Sequence, residues 1–216
     1  MCTFDDLLTR VLVCAAQPGT SVIGITGAPG AGKSTLTEAL VAAARVQLGT
    51  EAVGHVPMDG FHLADVELRR LGRLDRKGAP DTFDVAGYAA LLRRIRAGNE
   101  TVYAPAFERD VEQPIAGAIP VFPRTAVVLT EGNYLLIDDA GWSAVAAEID
   151  EIWYCAIRDD VRVERLVARH IAFGKASDAA RAWVADVDEP NARLVAATAT
   201  RADLTVDVTA VMPTSH

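Results

Sequence analysis

Lysine is nearly missing from this chain: of 216 residues only Lys33, Lys77 and Lys175 are lysine, against eighteen arginines. The formal net charge is −8, which disfavours nonspecific binding to nucleic acid or to an anionic membrane. An anionic ligand must therefore be met by positive charge gathered locally, and the place of each lysine is informative. Cysteine is scarce too. Cys2, Cys14 and Cys155 are odd in number and lack paired spacing, which argues against a disulfide framework or a zinc site and fits a reducing compartment. No apolar run approaches the roughly eighteen residues needed to cross a bilayer. Acidic Asp5 and Asp6 stand where a signal peptide would be basic. Internal repeats, low-complexity tracts and linkers are absent as well. The expectation is one domain over residues 1–216, cytoplasmic, with no nucleic-acid or membrane partner; self-association is not readable from the sequence.

What is present suits a folded core, with 50% of residues hydrophobic and 23% charged. Residues 4–16 read as a short amphipathic helix closed by the turn cluster Gln17-Pro18-Gly19-Thr20. Apolar, β-branched runs at 21–26, 51–58, 125–130, 151–157 and 202–208 read as buried parallel strands. Helical stretches fall at 33–48, 62–72, 139–148, 159–173 and 177–199, the last bent at Pro190. Asp84 caps a helix whose apolar positions Val85, Tyr88, Leu91, Leu92 and Ile95 keep the 3.6 period up to Gly98. Between 101 and 124, prolines at 105, 114, 120 and 123 break the pattern, giving an irregular arm or hairpin over the sheet. Apolar strands alternating with helices imply an α/β fold with a parallel sheet covered on both faces.

Gly27-Ala28-Pro29-Gly30-Ala31-Gly32-Lys33-Ser34 fits the Walker A pattern at every fixed position, between a strand and a helix. Glycines let successive N–H groups turn into one concavity that cradles phosphate oxygens, and the next helix adds its N-terminal partial charge. Lys33 is expected to reach the β- and γ-phosphates of ATP and Ser34 to ligate Mg²⁺, with Thr35 completing the nucleotide-binding stretch. Two acids follow strands. Asp59 lies in Pro57-Met58-Asp59-Gly60-Phe61-His62, and Glu131 in Glu131-Gly132-Asn133-Tyr134-Leu135, where a Walker B acid belongs. Taken alone, Asp59 reads equally as an Asp-Gly turn and Glu131 as a solvated loop charge. Arg158, Arg162, Arg165 and Arg169, spaced 4, 3 and 4, fall in one sector of a helix, with Val163, Leu166, Val167 and Ile171 toward the core. Such a face reads as solvated charge or as a mobile lid, at 158–176, that closes arginines over a transferring phosphate.

With these pieces in place, the chain resembles the family of P-loop kinases that includes uridine kinase, phosphoribulokinase and bacterial pantothenate kinase, from about residue 20 to the C-terminus. GAPGAGKST is similar to that family's phosphate loop, and MDGFH to the segment bearing its catalytic aspartate, which implies a general-base role for Asp59. KGAPDTFD (77–84) is similar to a family segment whose first aspartate holds acceptor hydroxyls and matches Asp81. EGNYLL resembles its Walker B segment, which assigns Mg²⁺ to Glu131. RDDVRVERLVARH is similar to the lid helix of uridine kinases, with matching arginines at 162, 165 and 169. The likeness, including VDEPNARLV (187–195), extends to bacterial members labelled nucleoside kinase-like or fructokinase-like. It implies a P-loop NTPase fold, with a five-stranded parallel sheet, flanking helices and an arginine-bearing lid, using ATP and Mg²⁺. The chain departs from uridine kinases at Arg169-His170, at Phe173-Gly174-Lys175 and along the arm 103–121.

The activity expected is ATP-dependent phosphorylation of a hydroxyl on a sugar, polyol, nucleoside or pantothenate-like alcohol. Lys33, Asp59, Arg165 and Arg169 form its catalytic set. Alternatives are a nucleotide-monophosphate or dephospho-coenzyme A kinase and a non-catalytic nucleotide-dependent regulator. On the acceptor side, Asp84 already supplies the helix cap, which leaves the Asp81 carboxylate for a diol, with Arg109 as the opposing donor. His62, Phe107 and Glu131 complete the acceptor set. The alternative is that Asp81 shapes its turn and Arg109 pairs with Glu108 or Glu112.

Overall fold

The computed structural model describes residues 2–139 and 141–212. In chain order the strands are β1 (Ser21–Thr26), β2 (Val53–Pro57), β3 (Val102–Glu108), β4 (Gln113–Val121), β5 (Val127–Glu131), β6 (Glu151–Ala156) and β7 (Leu204–Asp207). The helices are α1 (Phe4–Ala15), α2 (Lys33–Leu48), α3 (Asp65–Leu71), α4 (Val85–Ala97), α5 (Trp142–Ala146), α6 (Asp159–Ala172), α7 (Ser177–Trp183), α8 (Glu189–Ala196) and α9 (Val208–Val211). Five strands form a parallel sheet in the order β2-β5-β1-β6-β7. Among the described residues no helix is long and apolar enough to cross a membrane.

Alternation along each strand feeds two cores, because successive side chains leave opposite faces of a sheet. Val22, Val56 and Val128 pack on one face with Tyr88, Leu92 and Ile95 of α4 and with Trp142. Ile23, Ile25, Val127 and Leu129 pack on the other with Leu36 and Leu40 of α2 and with Leu7 and Val11 of α1. The Asp84 carboxylate accepts from Gly87 N at 2.8 Å, and Gly98 closes α4 in a left-handed conformation, as the sequence predicts.

Residues 101–124 resolve into an antiparallel hairpin, β3 with β4, whose register shifts between Ala104 and Ala106. Pro105 sits at that irregularity, and Pro114 and Pro120 lie on β4 of this two-stranded ribbon; a residue without an N–H is tolerated at such edges and bulges. The hairpin docks where Asp59 turns. A Cβ on Gly60 would stand 2.3 Å from the Pro105 carbonyl oxygen, so the turn after β2 and β3 touch backbone to backbone. The helix expected over 177–199 is split: α7 and α8 flank a π-helical turn, Val184–Asp188. Pro190 opens α8, and the wider π-turn is the device that takes up the missing N–H and the crowded carbonyl preceding it.

Candidate functional site

Three neighbouring strands, β2, β5 and β1, end level with one another. Pro57 pairs with Glu131 across β2 and β5, and Ile25 with Glu131 across β1 and β5. Topology therefore brings Asp59, Glu131 and the Gly27–Ser34 loop to one edge, the carboxyl end where open α/β sheets bind ligands. The loop holds positive φ at Gly27, Gly30 and Gly32, and it is covered closely: a Cβ on Gly30 would lie 2.7 Å from Leu166 Cγ. Lys33 is buried, donating from Nζ to the Ala28 carbonyl at 3.1 Å, and burial lowers its pKa.

Ser34 Oγ donates to Glu131 Oε1 at 3.2 Å. Burial, with the Asp59 carboxylate nearby, pushes the Glu131 carboxyl up to about 7 against the opposing pull of Lys33 and Ser34. A buried oxygen pair whose ionised form is penalised is a fitting seat for a hard cation. Among the described residues no group of three or more His, Cys, Asp or Glu could cage a metal unaided. Mg²⁺ keeps waters and is held through one or two carboxylates together with substrate phosphates, a demand that the Glu131 carboxylate and the Ser34 hydroxyl fit.

A cleft of about 450 Å³ opens from Lys33, Ser34 and Glu131 past Asp59 to the hairpin and the π-turn. Asp59 and Arg109 meet there, Nη2 to Oδ2 at 3.5 Å, so Arg109 pairs with neither Glu108 nor Glu112. His62 Nδ1 donates to the Asp59 carbonyl at 2.7 Å, and its ring lies between Phe83 and Phe107, 4.1 and 4.8 Å away between centroids. Burial lowers the His62 pKa, and that hydrogen bond leaves Nε2 as an acceptor. A second hollow of about 560 Å³ shares Lys33 and Ser34 and is bordered by Thr35, Glu38, Arg165, Val208 and Met212.

Two expectations need correction. Asp81 is not at the cleft and its carboxylate is not free: Arg76 binds Oδ1 and Arg73 stands 3.5 Å from Oδ2, which together lower its pKa. The four arginines also do not act as one stripe. Arg165 and Arg169 border the hollows, whereas Arg158 pairs outward with Asp160. Arg162 is 2% exposed and bonds Asp159 at 3.0 Å and Glu189 at 2.5 Å. Helix α6 lies across the phosphate loop on its Arg162 and Leu166 side, so Ile171, expected in the core, is exposed.

The cleft also gathers residues that the sequence did not assign to the site: Asp65, Lys77, Lys175, Trp183, Asp188 and Asn191. His170 Nε2 meets Asp188 Oδ2 at 2.8 Å, tying α6 to the π-turn. Lysine scarcity was the available signal, since all three lysines border this one cleft.

Residues 3–57, from α1 through β2, match the family model described as Methylmalonyl Co-A mutase-associated GTPase MeaB. Over 177 residues the chain is 32% identical to "Putative uridine kinase C227.14" of Schizosaccharomyces pombe, covering 80% of this chain and 75% of that protein. It is 34% identical over 189 residues to "Uncharacterized protein YggC" of Escherichia coli, covering 88% and 78%. A crystal structure from Silicibacter sp. TM1040, described as a "putative fructose transport system kinase", matches with a TM-score of 0.86 at 39% identity, over 95% of this chain and 100% of that one.

Proposed function

The chain belongs to the family of P-loop kinases that includes uridine kinase, phosphoribulokinase and bacterial pantothenate kinase, and from that premise we propose that it transfers the γ-phosphate of ATP to a hydroxyl of a small metabolite. One observation carries this reading. The Asp59 carboxylate borders the cleft beside the phosphate loop, and the ion pair it makes with Arg109, at 3.5 Å, is loose enough to yield to an acceptor hydroxyl.

In this reading the amides of residues 27–34 and Lys33 hold the β- and γ-phosphates. Ser34 and Glu131 would hold Mg²⁺, which would neutralise phosphate charge when bound. Asp59 takes the hydroxyl proton as the acceptor oxygen bonds to the γ-phosphorus and the bond to the β,γ-bridging oxygen breaks, releasing ADP. Arg165 and Arg169 meet the charge of the transferring group, with 158–176 closing as a lid. His62, Phe107 and Arg109 position the acceptor, and residues 1–216 work as a single kinase domain. The test is ADP release across sugars, polyols, hydroxy acids, nucleosides and vitamin alcohols. Strict dependence on an acceptor is expected; hydrolysis of equal rate without one identifies a nucleotide switch instead.

A further inference from the structure

The cleft has a consistent way of seating its cations beyond Asp59. Lys77 Nζ lies 5.5 Å from the centre of the Phe107 ring, and Arg109 lies 6.0 Å from that ring and 5.9 Å from Phe173. Lys175 Nζ stands 4.5 Å from the centre of Trp183. An aromatic face steadies a cation through its quadrupole without taking its N–H donors; Lys77 and Arg109 also meet carboxylates, Asp65 and Asp59, whereas the Lys175 ammonium keeps its donors unspent. The Lys175 ammonium has no hydrogen-bonding or ionic partner among the described residues; its backbone N–H donates to the His170 carbonyl at 3.0 Å. The nearby carboxylates are largely matched: Asp65 accepts from Lys77 at 2.7 Å and Asp188 is held by His170. Glu112 reaches this wall from the hairpin turn, where its carbonyl, not its carboxylate, takes Lys77. A chain of net charge −8 with three lysines has thus gathered all three along the lining of one cleft.

Resting on the kinase reading above, we infer that the acceptor is a hydroxylated anion whose carboxylate or phosphate is bound by Lys175 and Lys77 while its hydroxyl meets Asp59. A neutral sugar or nucleoside would leave Lys175 without a counter-charge in a partly closed cleft. An anion satisfies it and anchors the acceptor at the end remote from the reacting oxygen. Lys175 is thereby a specificity-determining residue.

The experiment uses the full chain with its phosphate loop filled by a non-hydrolysable ATP analogue and Mg²⁺, so that added anions cannot enter there. Calorimetric titration compares glycerate with glycerol and glucose 6-phosphate with glucose, which separates carboxylate from phosphate acceptors. One anionic member is expected to bind at least roughly tenfold more tightly than its neutral partner, about 1.4 kcal/mol. Lys175→Gln should cut that preference below about threefold. Lys77→Gln should act in the same direction, but Lys77 also ties the hairpin to Asp65, so Lys175→Gln decides. Equal binding within both pairs, a preference that survives Lys175→Gln, or binding of no anion overturns the inference. Asp59-dependent phosphorylation of a neutral acceptor in preference to anions would sink it while leaving the kinase reading intact. Lysine-dependent anion binding with no turnover of any acceptor would do the reverse.

Discussion

The phosphate side and the acceptor side of the cleft are built by different rules. The first is one continuous segment, residues 27–34, whose shape follows from glycine conformations and from its place between β1 and α2. The second is collected from the turn after β2, the stretch around Lys77, the β3–β4 hairpin and the π-turn, and ion pairs and ring contacts hold it together. Local backbone geometry can be written as a motif. A wall drawn from four distant segments leaves a trace in sequence only where one residue type is rare enough to mark it, as lysine does here.

The sharpest way to test that division is to remove one charge from each side. Lys33→Ala should weaken ATP binding and turnover together, since the lysine touches the phosphates in ground and transition states alike. Asp59→Asn should keep nucleotide binding and lose roughly two to four orders of magnitude in rate, the range for a missing general base. Single-turnover kinetics with measured nucleotide affinity distinguish the two. A near-normal rate in Asp59→Asn would reduce that residue to a turn former and dissolve the acceptor side as drawn.

Next in size is the division within α6. Arg162→Ala strips the partner from half-buried Glu189 and should cost about 3 kcal/mol of stability, the scale for breaking a buried ion pair. Arg169→Ala should leave stability within about 0.5 kcal/mol but lower the maximal rate by roughly a hundredfold. Chemical denaturation and steady-state kinetics on both variants give the contrast. Two variants that lose stability equally would return α6 to a purely structural helix.

The same division explains what was legible beforehand. Strand 21–26 and helix 33–48 have the predicted bounds because a β-branched apolar run and a Walker A turn fix each other's limits. The period along α6 says which residues lie in one sector, yet it cannot say which sector meets the body: Arg162 and Leu166, read on different faces, are buried together. Arg162 turned inward because its guanidinium found Asp159 and Glu189, and Ile171 turned outward with it. Prolines in β3 and β4 left an irregular arm and a hairpin both open, since they forbid central strands but not ribbon edges, and the structure takes the hairpin. A π-turn has no sequence period of its own, so Asp188 and its contact with His170 had no signature.

A smaller effect tests how dry the frame around β2 is. His55 Nε2 is buried without a partner, and burial, helped by Arg45, pushes the ring down to about 4. A depressed histidine pKa means its stabilising contribution is complete above about 6.5, the unfolded value, and is lost as pH falls through the folded one. The fall across that window amounts to at most about 3 kcal/mol. Urea midpoints measured between these limits should drop more steeply for the wild type than for His55→Leu. Parallel curves would mean that water reaches the ring.

The smallest effect is expected at Asp81, where the sequence pointed to an acceptor contact and the structure places an ion-paired turn. Its carboxylate is shared by Arg76 and Arg73, each side chain about one-third to one-half exposed, and the Asp81 carbonyl separately accepts from Arg73 at 2.8 Å. Pairs of this exposure are worth less than about 1 kcal/mol. Asp81→Ala should therefore cost no more than that in denaturation, and the backbone contact should keep the turn. Acceptor and ATP Michaelis constants should both stay within about twofold, since no binding term beyond about 0.4 kcal/mol is removed. The measurement is made once an active acceptor is known, beside Lys175→Gln under the same conditions. If the acceptor constant instead rises tenfold in Asp81→Ala and stays put in Lys175→Gln, the turn must open on binding. The acceptor wall would then run through 73–81 rather than through the π-turn.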